Sequence, residues 1–213
     1  MKKLLYSLLF LLILTHPCFA NLADGTNVGF LSASPSSDPA GDLLTGVDAQ
    51  VRAGKYTSPA GATGVNEIGF WVDNATEEAN FEVGIYSHDA ANNRPNLLLS
   101  GASQTNAKGT GAGWKKSSVT ISISESTVYW LAWQLDDTAT ATDANTNYTT
   151  GLGTRHSKNS QTALPATWGT SDGTNNTLIG IYAVYTTASG TAPQPYFPAF
   201  DGGFDNGLNG GFN

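Results

Sequence analysis

Ser126-Thr-Val-Tyr-Trp-Leu-Ala-Trp-Gln-Leu-Asp-Asp137 is the stretch from which the fold can be read. Side chains alternate between the two faces of a strand, so residues an odd number apart point opposite ways. Tyr129, Leu131, Trp133 and Leu135 then make one unbroken apolar face, which assigns Trp133 to a core. Trp130, Ala132, Gln134 and Asp136 make the other face, which is mixed.

The same alternation recurs along the chain. Ile68, Phe70 and Val72 share a face, as do Phe81, Val83 and Ile85, and then Val119, Ile121 and Ile123, which are opposed by hydroxyls. Strands with one wet face argue for antiparallel sheets. Val47, Ala49, Val51 and Ala53 alternate with Asp48, Gln50 and Arg52 until Gly54, where the pattern slips and Tyr56 takes over. That slip predicts a β-bulge or bend. Val28 to Leu31 reads as a short first strand, and Tyr148 to Thr154 as a weaker strand or extended loop. Leu178 to Tyr185, apolar on both faces, reads as a central strand. Turn-rich joints such as Asn92-Asn-Arg-Pro95 and Gly109-Thr-Gly-Ala-Gly113 separate these runs. About seven to nine strands at this spacing predict an all-β fold, an antiparallel β-sandwich of jelly-roll type.

The ends differ in texture. Lys2 and Lys3, an apolar run from Leu4 to Leu14 and Cys18-Phe-Ala20 have the layout of a secretory signal peptide over residues 1–20. That run is too short to span a bilayer comfortably, and no second long apolar segment follows, so no membrane insertion is expected. The expected product is secreted, extracellular or at the cell surface. Removing Lys2 and Lys3 from the ten basic residues leaves eight against 17 acidic ones, a net charge of −9. Such a surface repels phosphate backbones, which excludes nucleic acid as a partner. The only cysteine, Cys18, lies in the same leader, so stability must come from a core rather than from disulfides. Residues 21–46 read as an N-terminal arm with the first strand, 47–187 as the jelly-roll domain, and 188–213 as a flexible tail. In that tail Ala192 to Ala199 favours polyproline geometry, and Phe200, Phe204, Leu208 and Phe212 recur among Gly, Asn and Asp. A docking segment for protein partners is the other reading of the tail.

The order of motifs carries a resemblance. Ile68-Gly-Phe-Trp-Val72, Val83-Gly-Ile-Tyr-Ser87, Pro95-Asn-Leu-Leu98, Gly113-Trp114, Tyr129-Trp-Leu-Ala132 and Ile181-Tyr-Ala-Val-Tyr185 follow one another. The series resembles jelly-roll modules of carbohydrate-binding-module type, found in secreted bacterial proteins and in phage tail or virion-surface proteins. The likeness runs from about Val47 to Thr187 and implies a non-catalytic accessory or surface role. It transfers no binding residue.

Catalytic constellations are absent from the sequence: it has no His-Glu-x-x-His pattern, no Gly-x-Ser-x-Gly elbow, no Walker loop and no Rossmann fingerprint. His88 and His156 read as surface histidines. Glu67, Asp73, Glu82 and Asp136 fall on strands or at their ends, but nothing pairs two of them as a glycosidase requires. A protein without enzymatic activity is therefore expected, with no cofactor required. Asp136, Asp137, Asp143 and Asn145 supply hard oxygen donors in one loop and suit a structural calcium, although the glycine and glutamate of an EF-hand are missing. Solvated turn residues are the alternative.

The tryptophans supply the remaining candidates. Trp71 shares an outward face with Asp73, and Trp130 shares one with Gln134. A flat aromatic ring beside hydrogen-bonding groups suits the apolar face and polar rim of a sugar. Trp168 is either exposed or a plug, and Trp114 reads as an end cap. Trp71, Asp73, Trp130, Gln134 and Trp168 are thus the expected ligand contacts, unless Trp71 and Trp130 lie beneath loops or the tail. The expected function is recognition of glycans or surface polymers through exposed aromatics. The alternative is a structural or adhesive component of a cell surface, fibre or virion.

Overall fold

The computed structural model describes residues 21–44, 49–74, 79–99, 103–107, 112–135 and 145–188. Among the described residues the protein is all β, with strands β1 (Gly29–Leu31), β2 (Asp42–Leu44), β3 (Gln50–Thr57), β4 (Ala62–Asn74), β5 (Ala79–Asp89), β6 (Arg94–Leu98), β7 (Ser103–Ala107), β8 (Gly113–Ser122), β9 (Val128–Leu135), β10 (Asn145–Lys158), β11 (Gly173–Ile179) and β12 (Ile181–Thr187). No helix among them is long and apolar enough to cross a membrane.

The strands join in one sheet, in the order β1-β12-β4-β10-β3-β9-β5-β6, with β8 on β4, β7 on β5, and β2 and β11 on β10. The sheet is mixed rather than purely antiparallel, because β1 runs parallel to β12 with Gly29, Phe30 and Leu31 opposite Tyr182, Ala183 and Val184. Parallel neighbours cannot be joined by a tight turn, and here nearly the whole domain lies between the two strands. The strand number exceeds the expected seven to nine because short edge strands (β2, β6 and β7) add to the long ones and because one run is split. Leu178 to Tyr185 is two strands, divided at Gly180. There the backbone leaves β10 for β4: Gly180 N donates to the Asn147 carbonyl at 2.8 Å, and its own carbonyl accepts from Trp71 N at 2.8 Å.

Strand β10 is shared by two limbs of the sheet. Its start pairs with β4 through Asn145 and Thr146, and its end pairs with β3 through Arg155 to Lys158. The apolar faces of the two limbs meet in one buried cluster that holds all three alternating sets read from the sequence, together with Leu131, Trp133 and Leu135. At its centre Phe70 of β4 stacks on Trp133 of β9, with ring centroids 5.3 Å apart and planes at 18°. Phe81 meets Phe70 edge-on at 5.3 Å. Residues ahead of Val47 also enter this cluster, through Leu22, Val28 and Phe30.

The slip at Gly54 is not a bulge. β3 pairs with β9 residue for residue from Gln50 to Thr57 without a shift. Val51 and Ala53 enter a second cluster on the opposite face, while Tyr56 enters the main core. Both faces of β3 are covered, so apolar residues occur at either parity. Glycine is required at position 54 because the Tyr56 ring lies across it, and a Cβ there would come within 2.8 Å of a ring carbon. The Tyr56 hydroxyl continues past and donates to the Ile179 carbonyl at 3.1 Å.

Trp133→Ala removes the partner of Phe70 at the join between the limbs. It is expected to cost about 3–5 kcal/mol in urea denaturation, whereas a loss below about 1 kcal/mol would show that the limbs do not depend on this contact.

Candidate functional site

The parity read from the sequence holds at β9, but both of its faces are covered. Trp130 is 0% exposed, and Gln134 is 1% exposed on the same face. The chain from residue 159 to 172 crosses that face and is tied down at each step. Gln161 N donates to the Ala49 carbonyl at 2.8 Å, and Gln134 Nε2 donates to the Gln161 carbonyl at 2.8 Å. Leu164 N donates to the Glu82 carboxylate, Leu98 N to the Ala166 carbonyl at 3.0 Å, and Trp168 N to the Asn96 carbonyl at 2.8 Å. Trp168 is a plug, 0% exposed and edge-on to Tyr86 at 5.2 Å.

Trp71, 7% exposed, lies on the other limb, edge-on to Trp114 at 5.4 Å. Trp114 in turn meets Tyr182 edge-on at 4.9 Å and donates to the Ser37 carbonyl at 2.9 Å. Trp71 and Trp130 are therefore neither exposed nor neighbours. The expected aromatic platform is corrected: alternation shows which way a ring points, not whether another segment lies over it. The side chains of Asp73 and Asn145 are not described, and Asp136, Asp137 and Asp143 lie outside the described residues, so the calcium reading falls there too.

The histidines are not isolated surface residues. Trp130 Nε1 donates to His88 Nδ1 at 3.1 Å, so that nitrogen carries no proton in this arrangement. His156, buried, meets the Trp130 ring edge-on at 4.9 Å. Its Nδ1 lies 2.6 Å from Ser171 Oγ, and Ser171 Oγ accepts from Trp168 Nε1 at 2.8 Å. The Ser171 hydroxyl proton is thus free to serve His156. The assembly fastens the covering segment onto Trp130. Burial, then the nearby Lys55 charge, lowers the His88 pKa below its ordinary value. Burial also lowers that of His156, helped by Arg94 and Lys55 and opposed by the Asn93 carbonyl.

An open cleft lies where β3, β10 and β11 run side by side. Pairing places Arg155 opposite Gly54 and also opposite Asn175, and Arg52 is two residues from Gly54. Arg52, Arg155 and Asn175 therefore share one face across three adjacent strands, with the two arginines as diagonal neighbours. The cleft, about 660 Å³, is lined by both arginines with Tyr148, Thr150, Asn176 and Thr177. Its β10 wall is irregular: register shifts between Thr150 and Arg155, across Gly151 and Gly153 at φ 86° and 73°.

Both arginines are only 7% exposed. Arg52 Nη2 donates to Gln50 Oε1 at 2.6 Å. With the Asn175 amide oxygen facing it, Arg155 Nη2 donates there, also at 2.6 Å. Neither Nε, both shielded from solvent, has a partner among the described residues. Among the described residues the ion pairs are Arg94–Asp89 and Lys116–Glu67, and neither cleft arginine meets a carboxylate. Burial, and secondarily the Arg155 charge, pulls the Arg52 pKa down to about 9, which leaves it a cation at neutral pH. Burial lowers that of Arg155 as well.

Sequence reading treated Arg52 as the polar member of an alternation and passed over Arg155. Their shared face appears only once the β3–β10 register is known. A second open cleft of about 610 Å³, beside His88, is lined by Leu99, Ile123 and Tyr129 among others. No family model, no curated protein and no solved structure matches the chain.

The histidine shifts set a direction for stability. Folding lowers both pKa values from 6.5, so the unfolded chain takes up protons first as pH falls, and stability drops below about pH 6.5. Urea midpoints measured at about pH 7.5 and about pH 5.5 should fall toward the lower pH. The fall should shrink in His88→Gln and His156→Gln, and an equal fall in wild type and both variants would remove the histidines from the explanation.

Proposed function

We propose that the protein is a secreted, non-catalytic module that binds glycans or surface polymers, and that its ligand site is the cleft of β3, β10 and β11. The observation that carries this reading is an open groove lined by two largely buried guanidinium groups that meet no described carboxylate. Polymer recognition requires a groove rather than a closed pocket, and hydroxyl and amide side chains suit the hydroxyls of a sugar. We further propose that the two limbs over a shared core form a jelly-roll sandwich of carbohydrate-binding-module type. The signal-peptide layout of residues 1–20 supports secretion, and a structural calcium at Asp136, Asp137, Asp143 and Asn145 belongs to the same proposal.

Burial of Trp71 and Trp130 favours one other reading, a structural or adhesive surface component acting through protein contacts. On that reading oligomers form through the segment after Gly190, and deleting the segment returns the protein to a monomer in light scattering.

On a glycan array the secreted protein is expected to bind. Thr150→Ala and Asn176→Ala, at exposed positions lining the cleft, should weaken binding with the thermal midpoint unchanged. Trp130→Phe should do the reverse, lowering the midpoint while leaving affinity intact. A folded protein that binds nothing across a broad array would reject the reading in favour of the structural one.

A further inference from the structure

We infer that Arg52 and Arg155 form an oxyanion site, and that the ligand presents a carboxylate or sulfate group to it. The inference rests on the cleft being the ligand site and adds the chemical class of what enters it.

The chain has three arginines: Arg52, Arg94 and Arg155. Arg94 is accounted for, pairing with Asp89 at 3.1 Å. The other two come from distant parts of the sequence and stand on one face of adjacent strands, each about nine-tenths buried. Two like charges this close repel, and burying either costs several kcal/mol unless an opposite charge compensates. Among the described residues only neutral side chains meet them, Gln50 for Arg52 and Asn175 for Arg155. Those two amides use one guanidinium nitrogen each and hold the planes in place, while both Nε atoms are shielded from solvent with no partner among the described residues. A guanidinium held in this way along the cleft suits a carboxylate or sulfate, to whose oxygens arginine donates charge-assisted hydrogen bonds.

The rest of the chain narrows the ligand. A net charge of −7 over the full sequence, or −9 without Lys2 and Lys3, repels a densely charged polyanion at long range. A mostly neutral polymer with isolated acidic groups escapes that repulsion and still supplies the missing counter-charge. Thr150, Thr177 and Asn176 along the same cleft then face its neutral hydroxyls. Acidic glycans, carrying uronic acid or sulfate-ester groups, have this composition.

The test uses the wild-type mature chain first. Its three arginine side chains give three Nε–H resonances, with Arg94 as an internal control. Titration with sodium sulfate, and separately with galacturonate, at constant ionic strength should shift the Arg52 and Arg155 signals saturably and leave Arg94 in place. Binding of oligogalacturonate should exceed that of its methyl ester by roughly tenfold or more, and Arg52→Gln should remove most of that preference. Sulfate against galacturonate identifies which oxyanion is preferred. If the two signals stay fixed, or all three drift together without saturating, the oxyanion site is overturned, whether or not Arg52→Gln folds. Equal binding of acid and ester with fixed signals would overturn it while leaving the polymer-binding reading intact. Saturable sulfate shifts with no binding of either saccharide would support the oxyanion site and reject the glycan reading.

Discussion

The stacking of Phe70 on Trp133 is the contact on which the arrangement depends. It joins the two limbs across the core, and it sets which way every residue of β9 faces. Arg52 lies directly opposite Trp133 in the β3–β9 register and so shares its face. Gly54, two residues on, brings Arg155 of β10 onto that face as well. The neighbouring positions, Ala53 and His156, then point to the opposite side, where Trp130 lies. The cleft and the histidine–tryptophan assembly are thus consequences of one parity, expressed on opposite faces of the sheet. With no cysteine after Cys18, this burial carries the stability that disulfides give many secreted domains.

Local alternation made a large part of the fold legible. The core faces of β4, β5, β8 and β9 follow from period two alone, and the assignment of Trp133 to the core holds. Less legible were features that depend on what lies over a face. Trp130 and Trp71 do point away from the main core, as parity requires. One is roofed by the chain from 159 to 172, the other packed by Trp114, and neither relation is encoded near the tryptophan itself. Gly54 misled for the same reason: a strand buried on both faces carries apolar residues at both parities, which imitates a slipped register. Gly180 hides the division between β11 and β12 because the residues on either side of it are uniformly apolar.

The proposed ligand site was less legible still. Arg52 looked like an ordinary solvated partner of Val51 and Ala53, and Arg155 lay just past the stretch from Tyr148 to Thr154 read as a weak strand or loop. Their significance lies in adjacency, which the register of β3 with β10 creates, and in the lack of a described carboxylate beside either. Buried tryptophans ordinarily signify packing, because their large apolar area is worth more inside than exposed. Buried arginines have the opposite balance, since a guanidinium gains nothing from a dry setting without an anion. The structure therefore separates two roles that the sequence reading combined: aromatic residues build the core, and cationic ones line the cleft.

That division is tested most directly by acrylamide quenching of tryptophan fluorescence in the native protein, followed by the same measurement after unfolding in urea. Of the five tryptophans, Trp71, Trp130, Trp133 and Trp168 are buried and Trp114 is half-buried. The account predicts blue-shifted emission with a small quenchable fraction that vanishes in Trp114→Phe, and full quenching on unfolding. Strong quenching of the native protein that persists in Trp114→Phe and is lost in Trp71→Phe or Trp130→Phe would contradict it, and would return the aromatic rings to the surface as ligand contacts.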